Sequence, residues 1–200
     1  MSIPTTLVAR ALPADRGPVV SALAEAFQDD PVFAWLTPDP ARRRRQLPEF
    51  FALAADAVAH HDATWRVGAA GAALWTAPGH PPMTEQQGER FGARCAQIAG
   101  PDAERWFAVI ELLEQHHPDG PDHHYLWFLG VRPGEQGRGH GTALLRAVLD
   151  EADRTATPAY LDATSEDNRR LYARHGFAVT AELAVAGGPP LWAMWREPGR

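Results

Sequence analysis

The chain has 200 residues, 45% of them apolar, which is enough to bury a full core within one domain. Its formal charge of −6 excludes a general nucleic-acid surface, because neutralising phosphates takes a broad basic face that an acidic average does not supply. Cys95 is the only cysteine, which excludes an intramolecular disulfide framework and a zinc site built on several thiolates.

Met1 to Leu12 lacks a charged region leading into an unbroken apolar run. No stretch approaches the roughly 20 apolar residues of a membrane span. With a lone cysteine, this predicts a cytoplasmic protein with no membrane partner. Thr6 to Leu12 reads as a short first strand. Pro13-Ala14-Asp15 then turns the chain into a helix carrying Val19, Val20, Leu23, Ala24 and Phe27 at helical spacing, and Asp29-Asp30-Pro31 ends it.

Arg42 to Arg45 form the strongest basic run. Followed by Leu47, Phe50, Phe51, Leu53 and Ala54, they read as the solvated start of a helix from Pro40 to about His60, rather than as a phosphate site. Thr64 to Val67 and Ala72 to Thr76 make a hairpin around Gly68-Ala69-Ala70-Gly71, and Pro78 to Pro82 breaks the chain. Residues 84–99 and 102–116 are two further helices, the second with Trp106, Val109, Ile110 and Leu113 in one stripe. His116 to Asp122 is a turn-rich loop.

Tyr125 to Val131 is nearly continuous in apolar residues, as in a strand covered on both faces. Leu144, Leu145, Val148, Leu149 and Ala152 form a helical face, and Pro158 to Ala163 is the next strand. Glu166 to Arg174 is a short helix. Phe177 to Val185 and Leu191 to Arg196 close the chain as a hairpin around Gly187-Gly188-Pro189-Pro190. There is no internal repeat and no low-complexity linker, so residues 1–200 are read as a single domain.

Between the buried strand and the helix stands Gln136-Gly137-Arg138-Gly139-His140-Gly141. A glycine-rich turn there can point successive backbone N–H groups, together with the positive end of the helix dipole, at a pyrophosphate. Arg138 is a candidate to add charge. A Walker loop fails because His140 and Gly141 stand where Lys and Ser/Thr belong, and the dinucleotide fingerprint fails on the spacing of the third glycine.

What fits is Gln/Arg-x-x-Gly-x-Gly/Ala, the coenzyme A signature, here Gln136 to Gly141. With Asp167-Asn-Arg-Arg-Leu-Tyr-Ala-Arg-His-Gly-Phe177 and the final Pro190-Leu-Trp-Ala-Met-Trp-Arg196 strand, the chain resembles the GNAT (GCN5-related N-acetyltransferase) superfamily. Within it the chain looks most like the puromycin N-acetyltransferase group, through an Ala-Phe-x-x-x-Pro segment at Ala26 to Pro31 and a Leu-Trp-Thr-x-Pro strand around Trp75. The resemblance covers nearly the whole chain, loosely over its first 120 residues.

The resemblance implies an α/β fold with a mixed central sheet of about six to seven strands, splayed between two central parallel strands and flanked by helices. Residues 1–120 would form the acceptor side and 121–200 the acyl-CoA-binding half. The cofactor implied is acetyl-CoA or another short acyl-CoA, with no metal. The partner implied is a small-molecule amine of antibiotic or natural-product type, and family analogy allows a homodimer.

By the same resemblance, the backbone of Leu129, Gly130 and Val131 meets the pantetheine and acyl carbonyl. Gln136, Gly137, Arg138, Gly139, His140, Gly141 and Thr142 surround the pyrophosphate, and Asn168 and Tyr172 complete the cofactor site. Tyr172, one helical turn beyond Asn168, is the implied general acid beside the sulfur; the alternative is a core tyrosine with its hydroxyl satisfied. Asp162 is the candidate general base, with a structural hydrogen-bonding role as the alternative. Glu111, Glu114, His123 and His124 are further candidates.

Trp35, Trp75, Trp106 and Trp127 are candidates to line an acceptor pocket for a flat or apolar amine, Trp75 and Trp127 first, against a default of core packing. His60-His61, His116-His117 and His123-His124 read as solvated histidines rather than ligands, since neighbouring strand residues face opposite sides. Two other functions stand beside small-molecule acetylation. Acetylation of a protein N-terminus or lysine would call for an open peptide groove, and a non-catalytic acyl-CoA-binding domain would have no need of Tyr172.

Overall fold

The computed structural model describes residues 7–81 and 83–199. Thr6 of the expected first strand and Pro82 of the expected break lie outside them. The strands are β1 (Ala9–Arg10), β2 (Thr64–Val67), β3 (Gly71–Thr76), β4 (His124–Val131), β5 (Ala159–Ala163), β6 (Ala178–Ala184) and β7 (Pro190–Arg196). They form one sheet in the order β1-β2-β3-β4-β5-β7-β6, antiparallel except between β4 and β5.

Among the described residues seven α-helices flank it: α1 (Arg16–Ala26), α2 (Pro31–Leu36), α3 (Pro40–Val58), α4 (Glu85–Ala99), α5 (Ala103–His116), α6 (His140–Arg154) and α7 (Glu166–Ala173). Helices α1 to α5 pack on one face around Leu23, Phe33, Phe51, Leu74 and Tyr160. Helices α6 and α7 pack on the other around Trp75, Leu144, Leu145, Leu161 and Met194. All six residues of β3 are buried, Ala72 and Leu74 toward one layer and Ala73 and Trp75 toward the other, which is the alternation of a strand covered on both sides. Among the described residues no helix is long and apolar enough to cross a membrane.

The expected splay is present, and its place is set by register. β4 pairs with β5 only from His124 to Leu126 against Ala159 to Leu161. Both strands run on, to Val131 and Ala163. On the other side of β4, Leu74 faces Phe128 while Trp75 faces Leu126, so Trp127 is an extra residue in β4. A bulge of this kind bends its strand and increases the local twist, and the parallel ladder stops where the bulge begins.

Two expectations need correction. Asp29-Asp30-Pro31 does end α1, but it also starts α2, which the sequence reading left unassigned. The Asp30 carboxylate accepts the backbone N–H groups of Val32 and Phe33 at 2.9 and 3.2 Å, and Pro31 takes the first helical position, where its missing N–H costs nothing. The basic run is not simply solvated either. Arg43 is only 6% exposed and donates to the carbonyls of Gln28 at 2.6 Å and Thr37 at 2.5 Å.

The reason lies in the chain's path. The turns before and after α2 direct carbonyls inward, and a guanidinium has enough donors to serve two of them at once. The network continues through Thr37, whose hydroxyl donates to Gln46 at 2.8 Å and accepts the Trp106 indole N–H at 3.3 Å. Gln46 in turn donates to the carbonyls of Ile98 and Ala99, at the end of α4. Outside this network, Arg42 pairs with Asp102 at 3.3 Å.

Replacing Arg43 with Met keeps the apolar stem and strands the two carbonyls. Unfolding in urea should show a loss of about 3 kcal/mol, in the range for orphaned buried polar groups; wild-type stability would mean that water or another donor serves them.

Candidate active site

Where β4 and β5 part, a cavity opens on each side. The first is a cleft of about 790 Å³ between the α1–α2 corner, the end of β4, the turn before α6, and α7. The second, about 660 Å³, is an aromatic chamber walled by Phe33, Phe50, Phe91, Trp106, Trp127 and Phe128, with Asp162 on its wall. Phe27, Leu129 and Asn168 line both, so the two spaces meet at a throat beside the splay.

The cleft is built around the glycine-rich turn. Gly137 and Gly139 have φ of 73° and 81°, left-handed conformations that favour glycine. A Cβ on either would meet nothing within 4 Å, so space alone does not demand glycine at either position. Gly139 is also the N-cap of α6, and no side chain caps that helix. The first N–H groups of a 15-residue helix therefore remain for an anion at the cleft, where Gly137, Gly139, His140, Gly141 and Thr142 line the wall. A pyrophosphate fits this donor set.

Neighbouring side chains brace the turn. Gln136 donates to the Val131 carbonyl at 3.2 Å, tying the turn to β4. The His140 Nε2 lies 3.5 Å from Glu135, and its Nδ1 is buried without a hydrogen-bond partner among the described residues. Thr142 shares a 3.3 Å contact with the His175 ring. Arg138, by contrast, pairs with Glu135 at 2.9 Å, is largely exposed, and is not among the residues lining the cleft.

In the chamber, Asp162 receives the Tyr160 hydroxyl at 2.7 Å and the Tyr125 hydroxyl at 3.5 Å. Burial outweighs these two stabilising bonds and pushes its pKa up to about 6. His117 stands edge-on to both tyrosines, with ring centroids 4.8 and 5.1 Å away, and its Nε2 is 3.3 Å from that of His123. Burial, then the neighbouring His123, lowers the pKa of His117 and favours a neutral ring.

Tyr172 is buried on α7, packed edge-on to Phe177, and its hydroxyl has no hydrogen bond among the described residues. Burial, followed by the nearby charge of Asp30, raises its pKa well above that of a free tyrosine, so the phenol keeps its proton. It shares α7 with the wall residues Asn168 and Leu171 but sits in the core on the α6 side, lining neither cavity.

The other candidates divide. Leu129, Gly130 and Val131 line the cleft and Glu114 lines the chamber; His117 lines it too, half-buried, rather than standing among solvated histidines as expected. Glu111 is exposed and bonded to Gln115. His124 stands edge-on to Trp75, on the far face of the sheet. Trp127 and Trp106 line the chamber; Trp75 and Trp35 do not. Trp75 follows Leu74 in β3, so alternation turns it away from the chamber and into the α6 layer, where it is fully buried. Trp35 lies under the Arg105 guanidinium, 5.3 Å away, and against Gly188.

His60 and His61 stack on each other at 4.0 Å; among the described residues no group of three or more metal-ligating side chains converges. Phe27 and Asp30 both line the cleft, though neither is among the site residues expected from the sequence. The signals for them are the Ala-Phe-x-x-x-Pro segment from Ala26 to Pro31 and an aspartate immediately before a helix-starting proline.

Residues 20–177 match the acetyltransferase (GNAT) family. An uncharacterized N-acetyltransferase of Schizosaccharomyces pombe is 28% identical over 192 residues, covering 89% of this chain and 78% of that protein. A crystal structure from Corynebacterium glutamicum, described as histone acetyltransferase HPA2 and related acetyltransferase, is 27% identical with a TM-score of 0.71 over 96% of both chains. Arylalkylamine N-acetyltransferase 2 of Aedes aegypti shares the fold, with a TM-score of 0.62 at 15% identity over 96% of this chain and 99% of that one.

A valine at position 139 would force a β-branched residue into a left-handed backbone and place its methyl groups in the cleft. Calorimetry on Gly139→Val should show acetyl-CoA affinity reduced at least about tenfold, with the fold retained by circular dichroism. Unaltered affinity in the folded variant would place the pyrophosphate elsewhere.

Proposed function

Since this chain belongs to the acetyltransferase (GNAT) family and is an N-acetyltransferase, we propose that its acceptor is the amine of a small molecule with a flat or apolar body, acetylated by direct transfer. The observation that carries this reading is the aromatic chamber with the Asp162 carboxylate on its wall, which joins the cofactor cleft at a shared throat. Rings on several sides favour a compact apolar group over an extended peptide.

When bound, acetyl-CoA supplies an acetyl group activated as a thioester. The residues proposed to hold it are the N–H groups of the turn from Gly137 to Thr142 and the edge of β4 beyond Leu126, where no ladder to β5 occupies the backbone. Asn168 stands where both cavities meet.

Asp162 attracts the ammonium form of the substrate and takes a proton from its nitrogen, leaving the neutral amine that can act as a nucleophile. Tyr160 and Tyr125 donate to its two carboxylate oxygens and fix their direction. Tyr172 lines neither cavity, but its phenol lies near Asp30 on the cleft wall and is protonated throughout the neutral range; it is the proposed proton source for the departing sulfur and regains a proton as the nitrogen loses its second one to become the amide. Likeness to the puromycin-type enzymes makes aminoacyl natural products the first compounds to try, and the single, buried Cys95 accords with a cytoplasmic setting.

Thiol release from acetyl-CoA with puromycin, tryptamine, spermidine and a free N-terminal peptide tests the acceptor class. Turnover confined to the peptide would overturn it. On the active amine, kcat should fall as pH drops through about 6, because Asp162 must be deprotonated to act. Asp162→Asn should remove that limb and lower kcat on the order of 100-fold. Tyr172→Phe should lower kcat at least about tenfold while acetyl-CoA affinity stays within about twofold; full activity would take Tyr172 out of the chemistry.

A further inference from the structure

We infer that Asp30 is a positioning residue, whose carboxylate clasps the start of α7 to the α1–α2 corner across the mouth of the splay and so sets where Asn168 and Tyr172 stand. The inference rests on the proposed role of Tyr172 and on Asn168 lining both cavities.

The two oxygens of Asp30 serve different parts of the chain. Oδ1 accepts the N–H groups of Val32 and Phe33 and starts α2. Oδ2 accepts the Thr164 hydroxyl at 2.5 Å, from a residue 134 positions later. Thr164 directly follows β5, and its Oγ1 also receives the Asn168 amide at 3.4 Å. Ser165, next in sequence, caps α7 by accepting the Asn168 N–H at 3.2 Å. Asp30, Thr164 and Asn168 thus run in a line from the acceptor half to the helix that carries Tyr172. Asp30 lines the cleft, Thr164 the chamber, and Asn168 both.

Elsewhere in the sheet, hydrogen-bonded ladders hold neighbouring strands in place. Past Leu126 and Leu161 that ladder is missing, and the clasp spans this stretch. An exposed N-cap gains from a carboxylate at little cost, but Asp30 is only 9% exposed, and burying a carboxylate is costly unless both oxygens are bonded. Capping α2 uses one oxygen. The second is accounted for by Thr164.

The test compares Asp30→Ala, Asp30→Asn, Thr164→Val, the Asp30→Ala/Thr164→Val pair and Tyr172→Phe, using acetyl-CoA with tryptamine for kinetics and hydrogen exchange of α7 amides for geometry. Asparagine can still cap α2 and reach Thr164, so Asp30→Asn should keep kcat within about threefold. Asp30→Ala and Thr164→Val should each lower kcat about tenfold, with KM for acetyl-CoA changing less than about threefold. The double variant should be no worse than Asp30→Ala alone, because Asp30→Ala has already removed the contact to Thr164. Exchange across α7 should quicken about tenfold in Thr164→Val, which leaves the α2 cap intact and whose readout needs no acceptor.

Unchanged α7 exchange in Thr164→Val would overturn the clasp whether or not tryptamine is turned over. Asp30→Asn as slow as Asp30→Ala would also overturn it, by making the charge the active feature. If Tyr172→Phe is slow while Thr164→Val is fully active, the clasp alone falls. If Tyr172→Phe is fully active while Thr164→Val is slow with loosened α7, the proton-donor reading falls and the clasp stands through Asn168.

Discussion

Three rungs of parallel pairing, His124 to Leu126 against Ala159 to Leu161, hold the middle of this sheet together, and the site exists because there is no fourth. The extra residue at Trp127 bends β4 away as the ladder ends. That departure leaves the backbone of Leu129 to Val131 facing a gap, brings the aromatic chamber and the glycine-turn cleft to a common throat, and leaves α7 to be held by side chains rather than by the sheet. Trp127 itself turns into the chamber, so the residue that breaks the pairing also lines the space that results.

Burial then separates the two groups proposed to handle protons. Both Asp162 and Tyr172 are withdrawn from water, and burial raises both pKa values. The consequences are opposite because the starting points differ. A carboxylic acid raised to about 6 is ionised at neutral pH yet basic enough to take a proton. A phenol raised from an already high value stays protonated at neutral pH and so has a proton to give. One physical effect thus prepares a base on the chamber side and an acid on the α7 side.

The helices before β4 depend on a second polar arrangement, made of Arg43, Thr37, Gln46 and Trp106. These groups tie the corner after α2, the middle of α3, the end of α4 and the start of α5 into one bonded unit. Trp106 is both the last member of that unit and a wall of the chamber. Its indole N–H is satisfied on the protein side, and it also lines the chamber.

The sequence alone determined most of the elements and the place of the glycine-rich turn between β4 and α6. Helical and alternating apolar spacing are local properties, and they marked the strands from β2 onward and six of the seven helices close to their observed limits. The turn was legible because closely spaced glycines between a buried strand and a helix allow the left-handed backbone found at Gly137 and Gly139, a local property. Tertiary structure decided what lies beside what. Trp75 and Trp127 look alike as tryptophans in apolar strands, but register sends one into the α6 core and the other into the chamber. Arg43 stands among four arginines with nothing to single it out until two inward carbonyls come near. Asp30 reads as a helix stop, and its tie to Thr164 forms only when a residue 134 positions later folds back against it. Burial, pKa and clasping contacts are sums over neighbours distant in the chain, and no local pattern encodes them.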